Sequence, residues 1–192
     1  KDAEWIATCL LKGLIRGSYV PSELIQQLRQ YDRRIFELNK EIVRKLTKLD
    51  ACLQRCNIRI SNYVSTTESK SYQDVVKKLA AGISSTEELF KCIHNRTVNK
   101  WGKDTILAAL TGLVTEVDII GDYWTEVQLA KQHKQKYQDK MLDICKEHFP
   151  KEMERLQTIP GIKERSATSI IAELGTDMKS FETAAHLVSW AG

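Results

Sequence analysis

One stripe of apolar residues constrains this 192-residue chain more than any other feature. It runs through Leu24, Leu28, Tyr31, Ile35, Leu38, Ile42, Leu46, Leu49, Leu53 and Cys56 in steps of three and four. Such steps keep every marked residue on one face of an α-helix, in the heptad pattern that pairs helices side by side. An extra step of four between Leu38 and Leu49 is a stutter, which locally relaxes a left-handed supercoil. At about 1.5 Å per residue the helix is on the order of 50 Å long. A stripe this narrow on a helix this long needs a partner helix to cover it. The start is marked by Pro21, Ser22 and Glu23: Ser22 can accept from the first free amides, and Glu23 suits the positive end of the helix dipole.

The partner lies later in the chain. Ile106, Leu110, Leu113, Val117, Ile120, Trp124 and Val127 repeat the spacing, and Tyr137, Met141 and Ile144 resume it. Between them Lys131, His133, Lys134 and Lys136 interrupt the stripe with charge, as a solvated stretch or as a basic face for phosphates. Only 3 Pro and 9 Gly argue against a turn-rich all-β chain. Hydrophobic residues at 42% and charged ones at 28% are globular values. The expected fold is all-α: a long antiparallel coiled-coil hairpin over 21–149, with a small helix-hairpin-helix-like module at its C-terminal end, over 150–192.

Residues 57–103 are expected to form short helices at the hairpin tip. Ser71 to Ala81 reads as one, closed by Gly82. Ser85-Thr86-Glu87-Glu88 is a capping-box pattern opening another, through about Asn95. From Lys91 to Lys103 stand Lys91, Arg96, Lys100 and Lys103 with no acid among them, beside Trp101. An exposed aromatic amid cations suits nucleic acid, by phosphate contact and stacking. Packing of Trp101 into the tip is the other reading.

After Phe149-Pro150 the texture changes. Lys151 to Gln157 reads as a short helix, followed by Thr158-Ile159-Pro160-Gly161-Ile162-Lys163 and a helix bearing Ala167, Ile170, Ile171 and Leu174, ending at Gly175. A third helix is expected from Phe181 to Trp190, with Ser180 as its cap. Two helices joined by an apolar-Pro-Gly-apolar turn can meet a phosphate with free amides without reading bases, which makes Gly161, Ile162, Lys163 and Arg165 candidate nucleic-acid contacts. Lys163 stands where the usual turn has its second glycine, adding a charge there.

Other classes are excluded early. The longest nearly apolar run, Thr105 to Val114, falls short of the roughly 20 residues a membrane span needs. No charged-then-apolar stretch precedes a small-residue cleavage site in these residues, so export is not expected. Cys9, Cys52, Cys56, Cys92 and Cys145 are scattered and odd in number, which suits reduced thiols in the cytoplasm. Cys52 and Cys56, one helical turn apart, read as packing residues rather than a metal pair. A net charge of +4 permits a nucleic-acid partner without demanding one.

The residues also carry a resemblance. KDAEWIA at the start, LIRGSYVP, the long hairpin and TIPGIKERSATSIIAELGTDMKSFETAAHLVSWAG at the end resemble the IS-one-ten family of bacterial insertion-sequence transposases. The final 35 residues match best. The resemblance implies a RuvC-like nuclease domain with four acids, a coiled coil, and a transposase domain with a nucleophilic Ser. Residues 1–20 would be the tail of the nuclease domain, and Asp2 would match the last catalytic, metal-holding acid. In such a site carboxylates hold Mg²⁺, which polarises the scissile phosphate. The other acids would precede Lys1 and the Ser would follow Gly192; Glu4 and Ser189 are not matches to either. The chain therefore reads as an internal piece of a longer protein, inactive alone.

The resemblance further implies DNA and a structured guide RNA as partners, read by shape and backbone. Self-association through Leu28, Ile35, Leu38, Ile42, Leu49, Leu53, Leu113, Ile120 and Trp124 is expected, with the seam either shared between chains or paired within one. Two other functions fit the residues: a helix-hairpin-helix module of a repair protein, and a coiled-coil scaffold whose basic patches are only solvated.

Overall fold

The computed structural model describes residues 2–14, 20–181 and 183–191. The side chains of Ser180 and Trp190 lie outside them. Among the described residues every regular element is helical, as the sequence predicts: α1 (Asp2–Leu11), α2 (Glu23–Arg55), α3 (Lys70–Ala80), α4 (Thr86–Phe90), α5 (Asn95–Trp101), α6 (Lys103–Leu110), α7 (Val117–His148), α8 (Pro150–Gln157), α9 (Glu164–Leu174) and α10 (Ala184–Ala191). No helix is long and apolar enough to cross a membrane among these residues. The chain divides into two compact units, Lys1–Asp32 with Lys140–Gly192, and Arg33–Asp139.

In the second unit α2 and α7 pair antiparallel. Leu38, Ile42 and Leu46 of α2 are buried against Val127 and Ala130 of α7. Across the same pair Lys45 meets Glu126, and Arg55 lies 3.4 Å from Glu116. The helix stops where its carbonyls find other donors. Asn57 takes a left-handed φ of 63°. Its N–H donates to Gln54 at 3.0 Å, and that of Ile58 to Leu53 at 2.9 Å. These are the two bonds of a Schellman end, and Ile58 and Leu53 are both buried in the apolar contact that accompanies it.

Beyond this end the short helices build a small core. Leu49, Leu53, Ile58, Ile60, Tyr72, Val76, Leu79, Leu89, Ile106, Leu110 and Ile120 are all fully buried in it. Tyr72 donates to Asp50 at 3.0 Å, so its one polar atom is satisfied inside the core. α3 falls where the sequence puts it. The expected second tip helix is shorter: it ends at Phe90, and α5 starts afresh at Asn95. His94 caps α5, its Nδ1 accepting from Arg96 N at 3.1 Å. The capping box at Ser85 does not close. Ser85 Oγ donates to Glu87 at 2.9 Å, while Glu88 turns to Lys78 and Lys91.

The second arm is interrupted as well. The spacing predicts one continuous stripe from Ile106 to Val127, but α6 ends at Leu110 and α7 begins at Val117. Gly112 explains the break. A Cβ there would lie 2.1 Å from the Cys56 carbonyl oxygen and 2.9 Å from Ile58 Cγ1, so the chain passes the end of α2 too closely for any side chain. Asn57 Nδ2 donates to Thr111 O at 3.2 Å and Arg59 N to Ala109 O at 2.7 Å, tying down the same crossing. Leu113, expected in the seam, is 78% exposed in this interruption. The charged run Lys131–Lys136 leaves α7 unbroken.

In the first unit Ile25, Leu28, Met141, Cys145, Met153, Ala167, Ile171 and Ala172 are buried. Ser22 opens α2 as expected, its Oγ accepting from Ile25 N at 3.5 Å. Burial pushes the Cys145 thiol up to about 11, so it stays protonated. α1 differs from these elements: it has no buried residue, and Trp5, Ile6 and Leu10 are exposed.

Candidate nucleic-acid interface

The C-terminal turn sits between α8 and α9 in the first unit. Pro150 occupies the first turn of α8, where its missing N–H costs nothing. Ile159 O accepts from Ile162 N at 3.1 Å, closing the turn. Gly161 at its corner has a φ of 90°, a conformation that side-chain-bearing residues rarely adopt. Lys163 is extended, with φ −109° and ψ 176°. The position where the usual turn has a second glycine therefore needs none here, and its lysine is accommodated without strain.

Lys163 is also the residue before α9, and no side chain caps that helix. Its first-turn amides carry the partial positive charge of the dipole. Ile159, Pro160, Gly161, Lys163 and Arg165 are exposed, and Ile162 is half-buried. α9 itself is held from several sides. Arg29 donates to the carbonyls of Ala172 at 3.0 Å and Glu173 at 2.7 Å, capping its C-terminal end. Ser169 donates to Asp32 at 2.7 Å, and Lys146 pairs with Glu164 at 2.9 Å. The sequence reading did not single out Arg29 or Asp32, because nothing local links them to a helix some 140 positions on. Past α9, Asp177 caps a short 3-10 turn and Thr183 Oγ accepts from His186 N, so the third helix starts later than expected, at Ala184.

Residues 153–192 match the family model of the Transposase IS116/IS110/IS902 family. Over this segment the chain is similar to IS110-type transposases. The matched stretch takes in most of α8, the turn at Gly161, α9 and α10, so the exposed turn is part of the family segment. The chain has no significant match among curated proteins or among solved structures.

In the second unit the cationic run between Lys91 and Lys103 divides. Arg96, Lys100 and Trp101 line one groove of about 400 Å³, together with Asn62, Tyr63 and Ser65. Lys91 instead pairs with Glu88 and lines a separate depression with Asp74 and Lys77. Lys103 begins α6, outside the groove's lining. Trp101 is 41% exposed, so it is only partly packed into the tip. Tyr63 packs edge-on against its ring at 5.5 Å, and Lys100 Nζ stands 4.7 Å from the ring centre. Tyr63 went unseen in the sequence because it sits in a loop without periodicity, far from Trp101 along the chain.

Asp2 is exposed at the start of α1. Among the described residues there is no group of three or more His, Cys, Asp or Glu able to share a metal ion. A lone exposed carboxylate does not fit Mg²⁺, which needs several oxygen ligands. Of the candidate self-association residues, Leu28, Ile35, Leu38, Ile42, Leu49, Leu53 and Ile120 are buried within a single chain, and Trp124 is half-buried. Cys52 and Cys56 are both buried as free thiols.

Proposed function

We propose that the chain is the nucleic-acid-binding and spacing portion of a transposase that cuts and rejoins DNA strands during transposition of an insertion sequence, guided by a structured RNA and acting in the cytoplasm. The family assignment of residues 153–192 carries this reading. The turn at Gly161–Lys163 suits it physically: an uncapped helix N-terminus, an exposed lysine and an exposed arginine offer a phosphate two kinds of partner at one place. Contacts of that kind grip a backbone without reading its sequence, which is what a protein needs when base pairing to a guide supplies the specificity. Self-association belongs to the same proposal. Since most of the seam residues are buried within one chain, it would draw on exposed apolar positions such as Leu113, Phe36 and Val43.

The test is a titration of the chain against structured RNA, duplex DNA and single-stranded DNA at several salt concentrations. The expected result is binding whose logarithm falls linearly with the logarithm of salt, with structured RNA preferred. Replacing Lys163 by Gln should weaken binding to every sequence alike and lower the salt slope by about one. Equal affinity of duplex and structured RNA would favour a duplex-gripping repair module, and no binding to any of them at moderate salt would leave a scaffold.

A further inference from the structure

We infer that the groove between Tyr63 and Trp101 is a seat for one unpaired nucleotide, its base on Trp101 and its phosphate on Arg96 and Lys100. This rests on the proposal that the chain binds nucleic acid, and it names which form of nucleic acid this surface takes. Four observations meet here. The groove is open, and none of its lining residues is acidic. Arg96 and Lys100 are one turn apart on α5 and both line it, so two cations stand along one wall. Trp101 keeps much of its surface in water although it closes the helix next to a well-filled core. Asn62 and Ser65 add side-chain groups that can donate or accept at the edge of a base.

The arrangement of the ring matters most. Tyr63 lies edge-on at an interplanar angle of 80°, which steadies Trp101. Lys100 lies over the ring as a cation on a π-face. A lysine ammonium is held there only loosely and is strongly hydrated, on a flexible stem. A base stacking on Trp101 displaces it, and the phosphate of the same nucleotide receives it. Duplex is a poor fit, because its bases are already stacked on one another and present only edges. The ligand class is therefore an unpaired nucleotide in a loop, bulge or single strand, of RNA or DNA, since either presents a base face and a phosphate.

The experiment uses the whole chain with short single-stranded oligonucleotides of uridine and of thymidine, a blunt duplex of matched length, and a photoreactive 4-thiouridine oligomer. Binding is followed by tryptophan fluorescence and by crosslink mapping. The expected result is crosslinking to the peptide carrying Trp101, with single strands bound at least tenfold more tightly than the duplex. Trp101→Leu should weaken single-strand binding by about tenfold or more, while Trp101→Phe, which retains a π-face, restores most of it. Arg96→Gln should lower the salt slope by about one without abolishing the crosslink. If Trp101→Leu binds single strands as the wild type does, or the crosslink maps elsewhere, the groove is not the seat, whereas binding through the turn at Lys163 would stand. Weakened structured-RNA binding in Lys163→Gln with the single-strand crosslink at Trp101 intact would separate the two in the other direction.

Discussion

At the scale of single residues, backbone crowding and buried polar partners decide most. Gly112 has no freedom for a side chain, since the Cys56 carbonyl occupies the space a Cβ would take. Gly112→Ala should destabilise the fold by about 1–3 kcal/mol or more, because one of two backbones must move. A urea titration reads this directly. Among the described residues Tyr72 is the largest fully buried side chain. Burial, reinforced by Asp50, pushes its phenol well above the ordinary tyrosine range. The folded state thus holds this proton more tightly than the unfolded chain, so the associated stability is fully present below about pH 10 and is lost as pH rises beyond it. Tyr72→Phe should cost about 1 kcal/mol at neutral pH by leaving Asp50 without its donor, and should flatten the alkaline decline in the denaturation midpoint.

At the scale of elements, the ends are set by contacts more than by propensity. α2 stops in a Schellman end at Asn57, and between α4 and α5 the His94 N–H donates to Ser71 Oγ of α3 at 3.0 Å, while Glu88 pairs with Lys91 and Lys78. Hydrogen bonds from Lys91 first, then Lys78, lower the Glu88 carboxyl to about 2. A carboxyl depressed on folding contributes stability above its ordinary range, and that contribution disappears as pH falls from about 4.5 toward 2. Glu88→Gln should therefore lower the neutral-pH midpoint slightly, as expected of exposed pairs, and leave the midpoint near pH 2 almost unchanged, flattening the acid decline in this window. Thermal melts between pH 2 and pH 7 check it. The same elements show what a sequence reading misses. The start of α2 at Ser22 and the position of α3 were legible, because caps and periodicity are local. The split between α4 and α5 was not, since it depends on partners that other segments bring in.

At the scale of the whole molecule, the stripe from Leu28 to Leu53 works as a core within one chain. Leu46→Ala in the second unit should cost about 2–5 kcal/mol, the range for deleting a buried leucine whose surroundings relax only in part. Chemical denaturation with a stable slope would register it as a fall in midpoint alone. Within the candidate sites, the turn at Gly161–Lys163 and the basic run from Lys91 to Lys103 beside Trp101 were legible as candidates, since each is a short stretch of sequence. It could not find Tyr63 beside Trp101, nor the separation of Lys91 from the groove. What the sequence determined by itself was the all-helical class, the long first arm and the likeness of its last 40 residues to a transposase family, because apolar period, turn chemistry and motif order are all written along the chain. What only the tertiary structure decided was which seam residues are consumed internally, where the second arm breaks, and which cations share a groove with an aromatic face. Those outcomes depend on backbones and side chains meeting across tens of residues, where the Cys56 carbonyl against Gly112 or the ring of Tyr63 against Trp101 settles what local pattern leaves open.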